Sequence, residues 1–103
     1  MYQAEQESIT NMQGFGKIVD GLTTTTRQPF EWNGGEGVLL ASCSSTWGTR
    51  TLKLQQKIGT EWVDITDAEL TEAGGFKFVS TAPELGIIAT TYGNPLYISV
   101  QSI

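Results

Sequence analysis

Short β-type runs, each ended by Gly, Pro, Asn or Asp, follow one another along most of this chain of 103 residues. A new run begins about every 11 residues, which is the strand spacing of sandwiches and barrels. No segment keeps a helical period, and a short helix is expected only near residues 68–73. The predicted strands are 17–22, 26–32, 37–43, 49–58, 61–65, 75–80, 85–91 and 96–103. The pattern predicts an all-β protein.

Apolar and polar side chains alternate along most of these runs, so each strand has one apolar side and one polar side. Half-buried strands of this kind are typical of antiparallel sheets. The side chains predicted to face inward are Leu52, Leu54, Ile58, Phe76, Phe78, Leu96, Ile98 and Val100. We therefore expect an antiparallel β-sandwich of about eight strands, of jelly-roll type. Tight hairpins are expected at residues 33–35, 58–61 and 92–95, where Gly and Asn or Pro supply turn conformations.

Two runs, 38–41 and 85–89, are apolar on both parities. One side of each strand faces the core, so we expect the other side to be covered by the N-terminal segment or by another subunit. Leu39 and Ile88 are accordingly candidate partner contacts.

Residues 1–16 differ from the rest of the chain, because they are polar, rich in Gln and Glu, and without a sustained period. This composition predicts an extended N-terminal arm that precedes a single sandwich domain, 17–103. It is not that of a signal peptide. The candidate contact residues of the arm are Tyr2, Met12 and Phe15.

The chain contains no His and one Cys. Ser-His-Asp and Cys-His nucleophiles are therefore excluded, together with the commonest transition-metal ligand. Cys43 has no partner for an internal disulfide and is expected to be a small core residue. We expect no enzymatic activity, no catalytic residue and no cofactor.

Acidic residues outnumber basic ones by 11 to 6, for a formal net charge of −5. This balance argues against duplex nucleic acid or an anionic membrane as a partner. No apolar run approaches the length of a membrane span. We therefore expect neither nucleic acid nor a membrane as a partner.

The densest carboxylate cluster lies between residues 61 and 72. Glu61 and Asp64 are three residues apart, so on a strand they point to opposite faces and do not form the carboxylate pair of a glycosidase. Asp64, Asp67 and Glu69 offer oxygen ligands for calcium, but the glycine of a tight calcium loop is absent. We interpret the cluster as a solvated acidic edge and expect no metal site.

The tryptophans Trp32, Trp47 and Trp62 stand at predicted strand ends or in turns. Exposed aromatic side chains on a sandwich can stack on sugar rings or anchor a protein interface. Trp47 lies in a polar loop and is the leading candidate contact, although tryptophan is more often buried and can fold over the end of the sandwich.

The segment 47–65 reads WGTRTLKLQQKIGTEWVDI, and it is followed by GFKF at 75–78 and LYISV at 96–100. Over about residues 28–103 the chain resembles small β-sandwich virion proteins of tailed bacteriophages, especially capsid decoration (cement) proteins. The resemblance implies a structural, non-enzymatic protein on the outer surface of the capsid, made in the host cytoplasm. It also implies a dimer or trimer that binds the major capsid protein through a terminal arm.

A second hypothesis belongs to a different class of function. It is a carbohydrate- or receptor-binding module of a phage tail or fibre, with Trp47 and Trp32 as stacking platforms. Under this hypothesis Trp47→Ala should remove glycan binding, whereas under the first hypothesis deletion of the arm should abolish binding to the particle.

Overall fold

The computed structural model describes residues 16–103, which form eight β-strands. The strands are β1 (Gly16–Leu22), β2 (Gln28–Glu31), β3 (Gly35–Cys43), β4 (Leu52–Ile58), β5 (Glu61–Leu70), β6 (Gly74–Ser80), β7 (Glu84–Ala89) and β8 (Leu96–Ser102). Every strand pair is antiparallel. This part of the chain contains no helix, and the all-β prediction is confirmed.

The strands form two four-stranded sheets, in the orders β1-β8-β3-β6 and β2-β7-β4-β5. Consecutive strands change sheet at every connection except the one between β4 and β5. This is the strand order of a jelly roll, in which antiparallel strands wind alternately through two facing sheets. The sandwich architecture predicted from alternation is therefore present.

The core lies between the sheets and is built from alternate residues of the strands, with the alternation shifted by bulges in β1 and β5. Burial of a Leu or Ile side chain contributes about 1.5–3 kcal/mol, so this layer is the main source of stability. The apolar residues with no more than 2% exposure are Leu39, Leu52, Leu54, Leu85, Ile87, Ala89, Leu96, Ile98 and Val100. Of the other residues predicted to face inward, Phe78 is buried and Phe76 packs against the core, but Ile58 is exposed. Ile58 is the last residue of β4, next to the hairpin, and the burial of this strand's side chains decreases toward that end.

Only one of the three predicted hairpins is a hairpin. Residues 59 and 60 connect the paired strands β4 and β5, with Gly59 at φ 64°. The turns at 33–35 and 92–95 instead carry the chain from one sheet to the other, since β2 and β3, like β7 and β8, lie in different sheets. Turn residues set the local backbone conformation, which is compatible with either connection.

The helix expected near residues 68–73 is absent, because β5 continues to Leu70. Its continuation keeps a strand period: Ala68 is buried, Glu69 is exposed and Leu70 packs against the core. Before it, β5 bulges out of register with β4 between the pairs Lys53–Glu69 and Gln55–Asp64. Asp67 lies in this bulge at φ 62°, a left-handed conformation that Asp tolerates better than most residues.

Replacing Asp67 tests the backbone strain at the bulge. Asp67→Gly and Asp67→Val both remove the carboxylate, but only Val brings a branched Cβ into the left-handed region. We expect Asp67→Val to be less stable than Asp67→Gly by about 1–2 kcal/mol, measured by urea unfolding. Equal stabilities would show that this conformation imposes no constraint.

Candidate interaction surface

The outer side of the first sheet carries large apolar side chains that are open to solvent. Ile18 is 78% exposed, Leu40 is 55% exposed and Tyr97 is 42% exposed. Val38 lies on the same side of β3 and is half-buried. We call these four residues the apolar face. Among residues 16–103 nothing covers it, and contiguous exposed apolar patches of this kind mark interaction sites.

Strand pairing places the members of the apolar face next to one another. Ser99 of β8 pairs with Ile18 on one side and with Leu40 on the other. Leu40 leans over Gly75 of β6, where an added Cβ would lie 2.5 Å from its Cδ2. A small serine between two separated aliphatic side chains leaves a groove of about 350 Å³, and Tyr97 lies at one end of it.

The structure describes three of the predicted contact residues, which are Leu39, Ile88 and Trp47. Leu39 is fully buried in the core, so its assignment as a contact is wrong, and the exposed residue of that strand is Leu40. The run 38–41 is apolar on both parities, and the sequence does not say which parity faces inward. Ile88 is half-buried on the outer side of the second sheet. The candidate arm contacts Tyr2, Met12 and Phe15 lie outside the described residues.

Ile18 and Tyr97 were missed by the sequence analysis. Ile18 precedes the buried Val19, and this pair of adjacent apolar residues is the same signal that marked the run 38–41. Tyr97 occupies the polar parity of β8, where an aromatic residue with a hydroxyl gives no clear indication of a contact.

Trp47 is only 9% exposed and folds over one end of the sandwich. Its indole Nε1 donates to the carbonyl oxygen of Arg50 at 2.9 Å, and Nε of Arg50 donates to the carbonyl oxygen of Trp47 at 3.1 Å. The sequence left open whether Trp47 is an exposed contact or folds over the end of the sandwich, and the structure shows the second arrangement. Trp47 is therefore not available to stack on a ligand.

Arg50 is 1% exposed and connects two loops at this end of the molecule. Its Nη2 donates to the carbonyl oxygen of Asn94 and lies 3.4 Å from Sγ of Cys43. The guanidinium lies against Gly93, where a Cβ would be 2.7 Å from Cζ. Nη1 has no hydrogen-bond partner among the described residues, and no ion pair there involves Arg50. Carbonyl oxygens and a sulfur atom thus solvate this buried cation, and the arrangement ties the β3–β4 loop to the β7–β8 loop.

Trp32 is also buried, at 3% exposure, between Phe30 and Phe78. Its Nε1 donates to the carbonyl oxygen of Ser80 at 3.2 Å. The carbohydrate hypothesis therefore loses both of its proposed stacking platforms. Trp32 is a core residue that closes the sandwich between β2 and β6.

The outer side of the second sheet is polar, and its side chains bind one another. Trp62 lies against Gly86, with Cζ of Arg27 4.7 Å from its ring centroid and Nζ of Lys57 5.7 Å away. Nε of Arg27 donates to Oε1 of Gln55 at 3.0 Å. The aromatic ring of Trp62 is thus engaged by the chain's own cations, and this face offers less free apolar surface than the first sheet.

The carboxylates of the 61–72 cluster do not converge on a common point. Asp64 accepts from Nε2 of Gln55 at 2.8 Å and forms an ion pair with Nζ of Lys53 at 3.2 Å. These two partners, Gln55 first, hold the pKa of Asp64 below its usual value of 3.8. Within residues 16–103, no three His, Cys, Asp or Glu side chains are grouped so that they could hold a metal ion. The same residues include no helix of the length and apolarity that crossing a membrane requires.

Substitution of Arg50 tests its role in holding the loops together. Arg50→Ala leaves the buried carbonyl oxygen of Trp47 and the part-buried one of Asn94 without this donor and empties the space of the guanidinium, so we expect it to lower the free energy of unfolding by about 3 kcal/mol. Arg50→Lys should not restore stability, because an ammonium group cannot donate in the directions of the planar guanidinium. Thermal unfolding measures both, with the exposed Lys77→Ala as the control. Full stability of Arg50→Lys would contradict the assignment.

Asp64 supplies a pH-dependent contribution to stability. Its folded pKa is lowered, so the contribution is present above the unfolded pKa and is lost as the pH falls through the folded pKa, below 3.8. We expect Gln55→Leu to raise the pKa of Asp64 toward its ordinary value, because the variant removes the main hydrogen bond. The carboxyl ¹³C shift of Asp64 followed against pH measures the change. An unaltered titration would mean that Gln55 does not set this pKa.

Comparison with known proteins identifies a fold relative. No protein-family model matches the chain. No curated protein matches it in sequence. Among solved structures, the crystal structure of the SPBc2 prophage-derived protein YomS is similar, with a TM-score of 0.67 and 12% sequence identity. The match covers 92% of this chain and 98% of that one. The chain therefore shares its β-sandwich fold, over nearly its full length, with a protein from a prophage.

Proposed function

We propose that this chain is a non-enzymatic structural protein of a phage particle, a decoration protein that binds the lattice of the major capsid protein on its outer surface. The observation that carries the proposal is the apolar face, with Ile18 and Leu40 more than half exposed and uncovered by any described residue. The similarity of the chain's fold to that of a prophage protein, and the resemblance of its sequence to decoration proteins, supply the biological setting.

The physical mechanism is linkage. A protein that binds the assembled shell, and not the dissociated subunits, stabilises the shell in proportion to its occupancy. Repetition over a lattice adds multivalency if each decoration unit holds more than one copy. No chemical step is required of the chain.

The arm supplies the first contact in this proposal. It precedes β1, which is an edge strand of the sheet that carries the apolar face. Residues 1–15 are thus joined to the described part of the chain at the start of that edge strand. The arm contains two Glu and no Lys or Arg, so its contacts with a capsid subunit would include basic groups.

The particle itself provides the first test of the proposed function. Particles from the source of this sequence are banded on a density gradient and analysed by mass spectrometry. We expect the chain to sediment with the particles in many copies per shell. Migration only as a free small protein would overturn the capsid assignment.

Deletion of residues 1–15 tests the arm. Because residues 16–103 form two complete four-stranded sheets with a shared core, the truncated protein should unfold at nearly the same temperature as the full chain. We expect it to lose rebinding to particles from which the chain has been stripped, as measured by co-sedimentation. The matched control replaces the arm with a Gly/Ser segment of equal length. Rebinding of the truncated protein at full occupancy would assign the capsid contact to the sandwich instead.

A further inference from the structure

Charged side chains border the apolar face: Glu36 precedes Val38 on the same side of β3, and an acidic and a basic residue, Asp20 and Lys77, lie at diagonally opposite corners. Asp20 lies on β1, at one edge of the first sheet, and Lys77 lies on β6, at the other edge. Both are exposed, and neither belongs to an ion pair among residues 16–103. Charges that have no ion-pair partner among residues 16–103, at the border of an exposed apolar patch, are available to a partner surface.

Strand register fixes the positions of these two charges. Outward side chains that are paired across neighbouring strands form rows that run across the sheet. Asp20 and Tyr97 belong to one row, and Ile18 belongs to the next row. Lys77 lies opposite Val38, one row beyond Ile18 in the other direction. Three strand spacings and two row spacings separate the corners, about 20 Å in all. The midpoint of this diagonal lies near Leu40 and Ser99, at the centre of the apolar face.

We propose that a second copy of this chain binds the apolar face across a two-fold axis. The axis is parallel to the sheet, passes near Leu40, and runs at right angles to the line from Asp20 to Lys77. A two-fold interface joins the same patch on both copies, so the patch must be complementary to itself. The rotation exchanges the two charged corners, which brings Asp20 to the partner subunit's Lys77 and repeats this pair on the other side.

The same rotation brings the apolar residues together. Leu40 is close to the axis and meets its counterpart, and Ile18 comes to lie over the partner subunit's Val38. The strands of the two copies cross at close to a right angle, which is one of the two common arrangements of packed sheets. The groove between Ile18 and Leu40 provides space for an aliphatic side chain from the other copy.

The size of the face sets the expected strength of association. Four strands by about five residues cover roughly 300 Å² per copy, against about 800 Å² per partner in stable complexes. The dimer is therefore weak in dilute solution and becomes populated at high local concentration. The inference uses the face on which the proposed function rests, and names its partner, but it does not require binding to a capsid.

Charge exchange with the purified full chain tests the geometry. Sedimentation equilibrium over a wide concentration range should show dimers of the unmodified protein. Asp20→Lys and Lys77→Asp each replace two attractions with two repulsions, so each should weaken self-association about tenfold. An equimolar mixture of the two variants restores both pairs and should form mixed dimers as strong as the unmodified dimer. Glu31→Lys, an equal change of charge on an exposed residue of the second sheet, should have a smaller effect.

A substitution at the axis tests the apolar contact. Leu40→Asp should abolish dimerisation while the thermal unfolding temperature stays close to that of the unmodified chain, because the side chain is already half exposed. An unmodified chain that stays monomeric at every concentration would overturn the proposal. So would dimers that lose nothing in the single charge variants, or nothing in Leu40→Asp.

One further variant separates the second copy from the arm as occupant of the face. If residues 1–15 cover the face within one molecule, their deletion should create an association that the full chain lacks, and the proposal falls. Rebinding of Leu40→Asp to stripped particles is scored separately. If Leu40→Asp is monomeric and still binds particles, the proposed decoration function stands. If the unmodified chain forms dimers but never binds particles, the decoration function is refuted and the dimer proposal is not.

Discussion

The two sheets share a single core, and wherever a strand runs without a bulge only one parity of its side chains faces that core. This constraint settles the orientation of strands whose own sequence is ambiguous. Leu39 pairs with Val100 on one side and with Phe76 on the other, and both of these face the interior. Because side chains alternate strictly along a strand, the burial of Leu39 forces Leu40 outward. The apolar face is thus a consequence of register.

The end of the sandwich near residue 50 is held together by polar contacts, in contrast to the apolar packing of the core. Arg50 donates to backbone carbonyls on its own loop and on the β7–β8 loop, while the indole of Trp47 returns a hydrogen bond to the Arg50 carbonyl. Each of these two loops joins a strand of one sheet to a strand of the other. The contacts between the loops therefore stabilise the arrangement of the sheets at that end. A tryptophan in a polar loop can therefore be structural.

The outer sides of the two sheets have different characters. On the second sheet, Trp62 is engaged by Arg27 and Lys57, and Asp64 is engaged by Gln55 and Lys53, so the polar groups are largely satisfied within the chain. On the first sheet, exposed apolar side chains are bordered by charges that form no ion pair with the described residues. This asymmetry favours the first sheet as the surface that meets other molecules. It is consistent with a protein that acts by attachment.

The sequence alone determined the class of fold and nearly all of the strands, because period-two alternation and regularly spaced turn residues are local properties. It also located the apolar excess in β3. Only the tertiary structure decided which turns cross between the sheets, since Gly and Asn provide the same backbone conformations in both kinds of turn. The burial of Trp47 and Trp32, and the choice of Leu40 over Leu39, likewise depend on neighbours far away in the chain. The apolar face joins residues 18, 40 and 97, and only strand pairing between distant segments brings them together.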